Sequence, residues 1–195
     1  MNAIGSPVWL PPGSPTAADL PGRAAESFAE SVQRFRRTRA ELVSLHDSLP
    51  DDQPVAGYGR DTALVIRAFE TWTHLDDMQR ALARPVTEPG ARAMRTMAEL
   101  ATGALPLALA VKGMPHPGQT VRLVLTGPGG GEWLFAATPG DEPGARPDTE
   151  IQAPVVEWCR RFADRLAPDE VPMTVAGDPD LARDLVTAAN AFAGL

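Results

Sequence analysis

Cysteine and lysine are nearly missing from this 195-residue chain: Cys159 and Lys112 stand alone. A single cysteine excludes an internal disulfide framework and suits a reducing compartment. No apolar run approaches the ~18 to 20 residues that cross a bilayer, and the N-terminus lacks a basic stretch followed by an apolar core. The chain is therefore expected in the cytoplasm, away from membranes. Positive charge is also short: 18 Lys and Arg face 25 Asp and Glu, for a net charge of −7, which argues against a nucleic-acid surface.

What is present suits a soluble globular protein, with 44% apolar and 22% charged residues, in one fair-sized domain or two small ones. Residues 1–22 carry Pro7, Pro11, Pro12, Pro15 and Pro21 among glycines, which excludes a continuous helix or sheet and predicts an extended arm. Over 24–49 the positions Phe28, Val32, Phe35, Leu42, Leu45 and Leu49 keep a three-four spacing and predict a long amphipathic helix. Its arginines Arg34, Arg36, Arg37 and Arg39 fall mostly off that stripe and read as a solvated face. His46 continues the stripe. The loop 51–59 leads to a second helix over 62–83, for which Asp61 is a suitable N-cap and Pro85 the stop.

A third helical segment, 92–111, contains Pro106 and should kink or split there. After the turn-rich stretch 112–119 the period changes to alternation. Val121, Leu123 and Leu125, then Trp133, Phe135 and Ala137, predict a hairpin around Gly127-Pro128-Gly129-Gly130-Gly131. No Gly-Lys-Ser/Thr follows those glycines, so a turn is preferred to a phosphate loop. A short strand at 149–152, a helix at 154–166 carrying Cys159 as a structural thiol, a strand at 171–176 and a helix started by Asp178 or its neighbours and running through Phe192 complete the reading. The fold class is α+β: a helical portion at 23–112 and a small α+β domain with an antiparallel sheet at 113–195.

The predicted helix 62–83 holds the one constellation that suggests chemistry. Glu70 and His74, four apart, share a face and can present an oxygen and a nitrogen to one point, as two ligands of one metal must. The same spacing also suits a solvated pair. Leu64, Ala68, Leu75 and Leu82 form one apolar flank and Ile66, Phe69 and Trp72 another, so both flanks are expected to be buried and the polar residues between them to need partners.

The run Arg67-Ala68-Phe69-Glu70-Thr71-Trp72-Thr73-His74-Leu75-Asp76-Asp77-Met78, followed by Ala81-Leu82-Ala83-Arg84-Pro85, resembles the ligand helix of the mycothiol-dependent maleylpyruvate isomerase family, a branch of the DinB-like metal-binding bundles. Residues 121–133, Val155-Val156-Glu157-Trp158-Cys159-Arg160, and Ala176-Gly177-Asp178 with Leu181-Ala182 are similar to that family's C-terminal domain, which is sterol-carrier-like. The resemblance covers about residues 55–195 and implies a divalent metal, usually zinc, with mycothiol as the thiol cofactor and a small-molecule substrate. It places metal ligands at Glu70 and His74. The family's further histidine, from an upstream helix of the bundle, has no match here, so the bundle is expected to be incomplete and His46 is the local candidate to replace that ligand. Asp77 would orient a ligand, and Arg67 would either attract a carboxylated substrate or pair with a nearby acid. The arginine-rich, lysine-poor composition fits the GC-rich actinobacterial genomes in which mycothiol occurs.

Two functions follow from this. One is a thiol-assisted isomerase or transferase built on the metal. The other is a non-catalytic binding or regulatory protein that keeps the fold and pairs through its apolar stripes with a second copy or a partner chain.

Overall fold

The computed structural model describes residues 27–55, 58–191 and 193. The predicted arm at 1–22 lies outside them. The chain divides into two compact units, Met1–Leu64 and Val65–Leu195. Within the described residues the fold is α+β, with no helix long and apolar enough to cross a membrane.

In the first unit, α1 spans Phe28–Ser48. Ser27 and Glu30 form a reciprocal capping box that satisfies the first free amides, so the helix starts there. No described side chain of α1 is buried. The loop after it is tied by an antiparallel bridge between Val55 and Tyr58 and by Arg60, whose Nη1 donates to Leu49 O at 2.7 Å. Helix α2 spans Arg60–Ala81, so Asp61 lies inside the first turn and is not its N-cap. The amide of Ala63 donates instead to Gly59 O, and the Asp61 carboxylate turns to Arg60 and His46. At its far end α2 closes in a Schellman motif: Arg84 N donates to Gln79 O and Ala83 N to Arg80 O, with Ala83 at φ 50°.

The second unit is built on a four-stranded sheet in the order β2-β1-β3-β4, with β1 Thr120–Thr126, β2 Gly131–Ala136, β3 Thr149–Pro154 and β4 Thr174–Gly177. The predicted hairpin is present, with Leu123 opposite Trp133. The sheet, however, is mixed and not wholly antiparallel, because β3 runs parallel to β1, Leu123 beside Ile151. The segment between β2 and β3, residues 137–148, returns past the start of β1. It is fastened there by Gly144 N to Thr120 Oγ1 at 2.7 Å and by Thr120 N to Asp148 Oδ2 at 2.7 Å.

Four helices belong with this sheet besides the rest of α2. The predicted break at Pro106 appears as two helices, α3 Ala91–Gly103 and α4 Leu105–Val111. The others are α5 Val155–Phe162 and α6 Pro179–Ala188, the latter capped by Asp178. α3 packs on α5, and α4 on α6. One sheet face supplies Val121, Leu123, Leu125, Ile151 and Ala153 to the core, against Met94, Met97, Leu105, Leu109, Trp158, Leu181 and Leu185 of the helices. This core draws on residues from both sides of the 112–119 turn, so the change of period there separates element types and not cores. On the opposite face Arg122 bridges Glu132 and Glu150 across three strands, at 2.7 and 2.6 Å.

Candidate functional site

The motif portion of α2 lies in the second unit, and Phe69 and Trp72 carry its buried face. Their rings sit 5.7 Å apart, and Phe69 stacks at 5.7 Å on Phe162 of α5. The second predicted apolar flank is thus buried at these two positions. The first is not: Leu75 is 39% exposed and Leu82 66%, with Met78 beside them at 57%. Only one side of this helix meets the core, because burying both flanks needs a second layer of helices around it.

Glu70 is half-buried and already has a partner in Arg67, whose Nη1 donates to Glu70 Oε2 at 2.7 Å. Arg67 therefore pairs with its neighbour three residues on. The His74 imidazole is 71% exposed, with Nδ1 3.9 Å from Asp77 Oδ2, beyond hydrogen-bond length. Asp77 is turned away from a role as orienting partner. Its carboxylate accepts from Arg165 Nε at 3.1 and 3.0 Å and from Arg165 Nη2 at 2.9 Å. That bidentate pair raises the Arg165 guanidinium above its ordinary range.

Asp76, to which the spacing argument assigns no role, is the most buried acid of the motif at 1% exposure. Its Oδ2 accepts from Arg80 Nε at 2.8 Å and Arg160 Nε at 3.2 Å, while Oδ1 has no partner. Asp76 and Asp77 thus join α2 to Arg160 of α5 and to Arg165 just beyond it. The doublet Asp76-Asp77 and the doublet Arg160-Arg161 are both visible in the sequence. Nothing in a separation of 84 or 88 residues says which acid meets which arginine.

His46 belongs to the first unit. Its Nε2 lies 3.1 Å from Asp61 Oδ1 and its Nδ1 3.2 Å from Asp47 Oδ1, so each ring nitrogen already faces a carboxylate. Arg60 first and His46 second hold the Asp61 carboxyl below its ordinary range.

Among the described residues no group of three or more His, Cys, Asp or Glu side chains is placed to hold a metal ion. Zinc takes three or four protein ligands. Glu70 and His74 offer two, one of them already paired, so the described residues do not make up a complete zinc centre by themselves.

A cleft of about 560 Å³ opens at the end of α5, lined among others by Lys112, Arg161, Asp164, Arg165 and Thr187. Two of these three cations are fully engaged. Arg161, 3% exposed, donates Nε to Val186 O at 2.9 Å and Nη2 to Thr187 O at 3.1 Å, closing late carbonyls of α6, and Nη1 to Leu166 O at 2.7 Å. Arg165 serves Asp77. The cleft wall is therefore a brace between chain segments. Cys159 is wholly buried, and burial pushes its thiol up to about 12, which fits the structural role expected from its place in the helix.

Comparison with protein-family models, with curated proteins and with solved structures finds no match to this chain.

Proposed function

We propose that this chain is a protein of the mycothiol-dependent maleylpyruvate isomerase type that serves as a binding or regulatory member, pairing with a second copy of itself. The resemblance of residues 67–85 supplies the family. The observation that carries the binding reading is the commitment of the motif's polar groups: Glu70 to Arg67, Asp77 to Arg165, Asp76 to Arg80 and Arg160. A helix whose acids all hold arginines is a structural strut. On its open side Leu75, Met78 and Leu82 repeat at helical spacing and are exposed, a stripe suited to another helix.

One observation favours the metal reading as a second possibility. His74 stands exposed one turn from Glu70, and the Arg67–Glu70 pair is a surface pair of small strength that a cation can displace. Glu70 and His74 would then hold a divalent ion, zinc by resemblance, with a further donor from a partner chain. When bound, such an ion supplies Lewis-acid chemistry and a place for the mycothiol thiolate. No step is assigned to it, since two donors do not hold it.

The test is elemental analysis of the purified chain after exhaustive dialysis, beside His74→Ala, with sedimentation equilibrium on both. The binding reading expects a dimer and no retained metal in either protein. About one divalent ion per chain, lost in His74→Ala, would replace it with the metal reading, and a metal-free monomer would overturn both.

A further inference from the structure

His116 stands in the turn between α4 and β1, its side chain 15% exposed. Its Nε2 lies 2.9 Å from Asp184 Oδ2 of α6, and its Nδ1 lies 2.6 Å from Gln119 Oε1. Which way the Gln119 amide faces is decided at its other end, where Nε2 donates to Asp178 Oδ2 at 2.9 Å. Asp178 is the cap of α6, and its Oδ1 accepts from Asp180 N at 2.9 Å and Leu181 N at 3.2 Å. The bond from Gln119 first, and these two amides next, hold the Asp178 carboxyl below its ordinary range, so it is an ionised group that only accepts. Turning the amide over would set Gln119 Oε1 against that carboxylate, two acceptors facing each other. Gln119 must therefore show its oxygen to His116. Both ring nitrogens then face acceptors, and only an imidazole carrying two protons can donate to both.

We propose that His116 is a proton-dependent clasp that, as imidazolium, fastens the 112–119 turn to α6, and that the clasp opens when the ring loses one proton to solvent. The groups facing the ring are Asp184 and, through Gln119, Asp178, the first on α6 and the second its cap. Within the turn, Gly118 N is held by Asp141 Oδ2 at 3.3 Å. One carboxylate thus meets the ring directly and a second lies behind Gln119, and the neutral ring would bring a bare nitrogen against an acceptor oxygen. His46 also faces two carboxylates, but Asp47 and Asp61 are 70% and 80% exposed and can turn to water. Asp184 is 31% exposed and Gln119 is pinned by Asp178, so the His116 set cannot relax in that way. The sign follows: the clasp contributes stability while the ring carries both protons and loses it when a rise in pH removes one.

The experiment is urea unfolding of the full chain and of Asp184→Asn at pH 6 and pH 8.5, with ring-nitrogen NMR of the native protein at pH 6. The side-chain amide that Asp184→Asn introduces can accept from a ring N–H or donate to a bare nitrogen, so its pairing survives loss of the proton. Two solvent-protected ring N–H signals are expected for His116 at pH 6, identified by their absence in His116→Gln. Between the two pH values the folding constant of the native chain should fall roughly tenfold further than that of Asp184→Asn, about the worth of one charge-assisted bond. A single ring N–H at pH 6, or equal pH dependence in the two proteins, would overturn the clasp. Should Asp184→Asn fail to fold, His116→Gln takes its place in the unfolding comparison, with the same expected flattening.

Discussion

Asp76 does the most of any polar residue in the motif helix, and it does so without touching a candidate ligand. A carboxylate this deep persists only because two guanidinium groups face it, Arg80 on its own helix and Arg160 on α5. Removing it leaves Arg160, 15% exposed, without its partner. Asp76→Ala is expected to destabilise the chain by about 3 kcal/mol, and Arg160→Ala in the same background should add little, as urea midpoints of the double-mutant cycle will show. If the two costs simply add, the pair is not a unit. Cys159 gives a second prediction at this scale. With its thiol pushed up to about 12 by burial, it should resist a disulfide reagent at pH 8 in the folded chain and react at once in denaturant. Fast native-state labelling would mean that α5 opens readily.

At the scale of the element, two closures show how local chemistry and packing divide the work. Ala83 sits at φ 50° as the left-handed residue of the Schellman motif ending α2, a place where a Cβ is strained. Ala83→Gly should therefore stabilise the chain by roughly 0.5–1 kcal/mol in thermal unfolding, against the usual direction for such a change. No gain, or a loss, would show that the strain is relieved some other way. The glycine-rich turn of the hairpin was legible as a turn, yet its glycines also serve a contact. A Cβ on Gly129 would strike Ala91 O and Met94 Cβ, and one on Gly131 would strike the Arg95 guanidinium. The turn presses on the first turns of α3, and Arg95 spans it with Nη1 on Gly130 O at 3.0 Å and its guanidinium 4.4 Å over the Trp133 ring. Gly140 shares the positive φ with nothing within 4 Å of its missing Cβ. Gly140→Ala should cost about 1 kcal/mol and Gly129→Ala about 3, a gap that measures the contact by itself.

Over the whole molecule the acidic balance, −7, sets how the fold meets low pH. Asp61, Glu132 and Asp178 all have carboxyls held below their ordinary range, the first by Arg60, the second by Arg122, the third by Gln119. A carboxyl depressed in the folded state contributes stability above its unfolded value and loses it as pH falls through the folded one. The chain should hold its stability down to about pH 4 and lose it progressively below, with a shallower loss in Asp178→Asn, which keeps a capping side chain. An acid limb identical in the two proteins would remove Asp178 from the account.

The sequence by itself determined the α+β class, the hairpin, the split at Pro106, the start of the last helix near Asp178 and the nature of Cys159, because periodicity and proline act over a few residues. It also marked Glu70 and His74 as sharing a helix face, since that follows from spacing alone. Tertiary structure decided the rest. Alternation in β3 says which side chains share a face but not which strand lies beside it, so the parallel pairing of β3 with β1 was out of reach. Ion pairing is non-local in the same way: Asp76 and Asp77 found Arg160 and Arg165 across 84 and 88 residues, and with them became braces of the second unit.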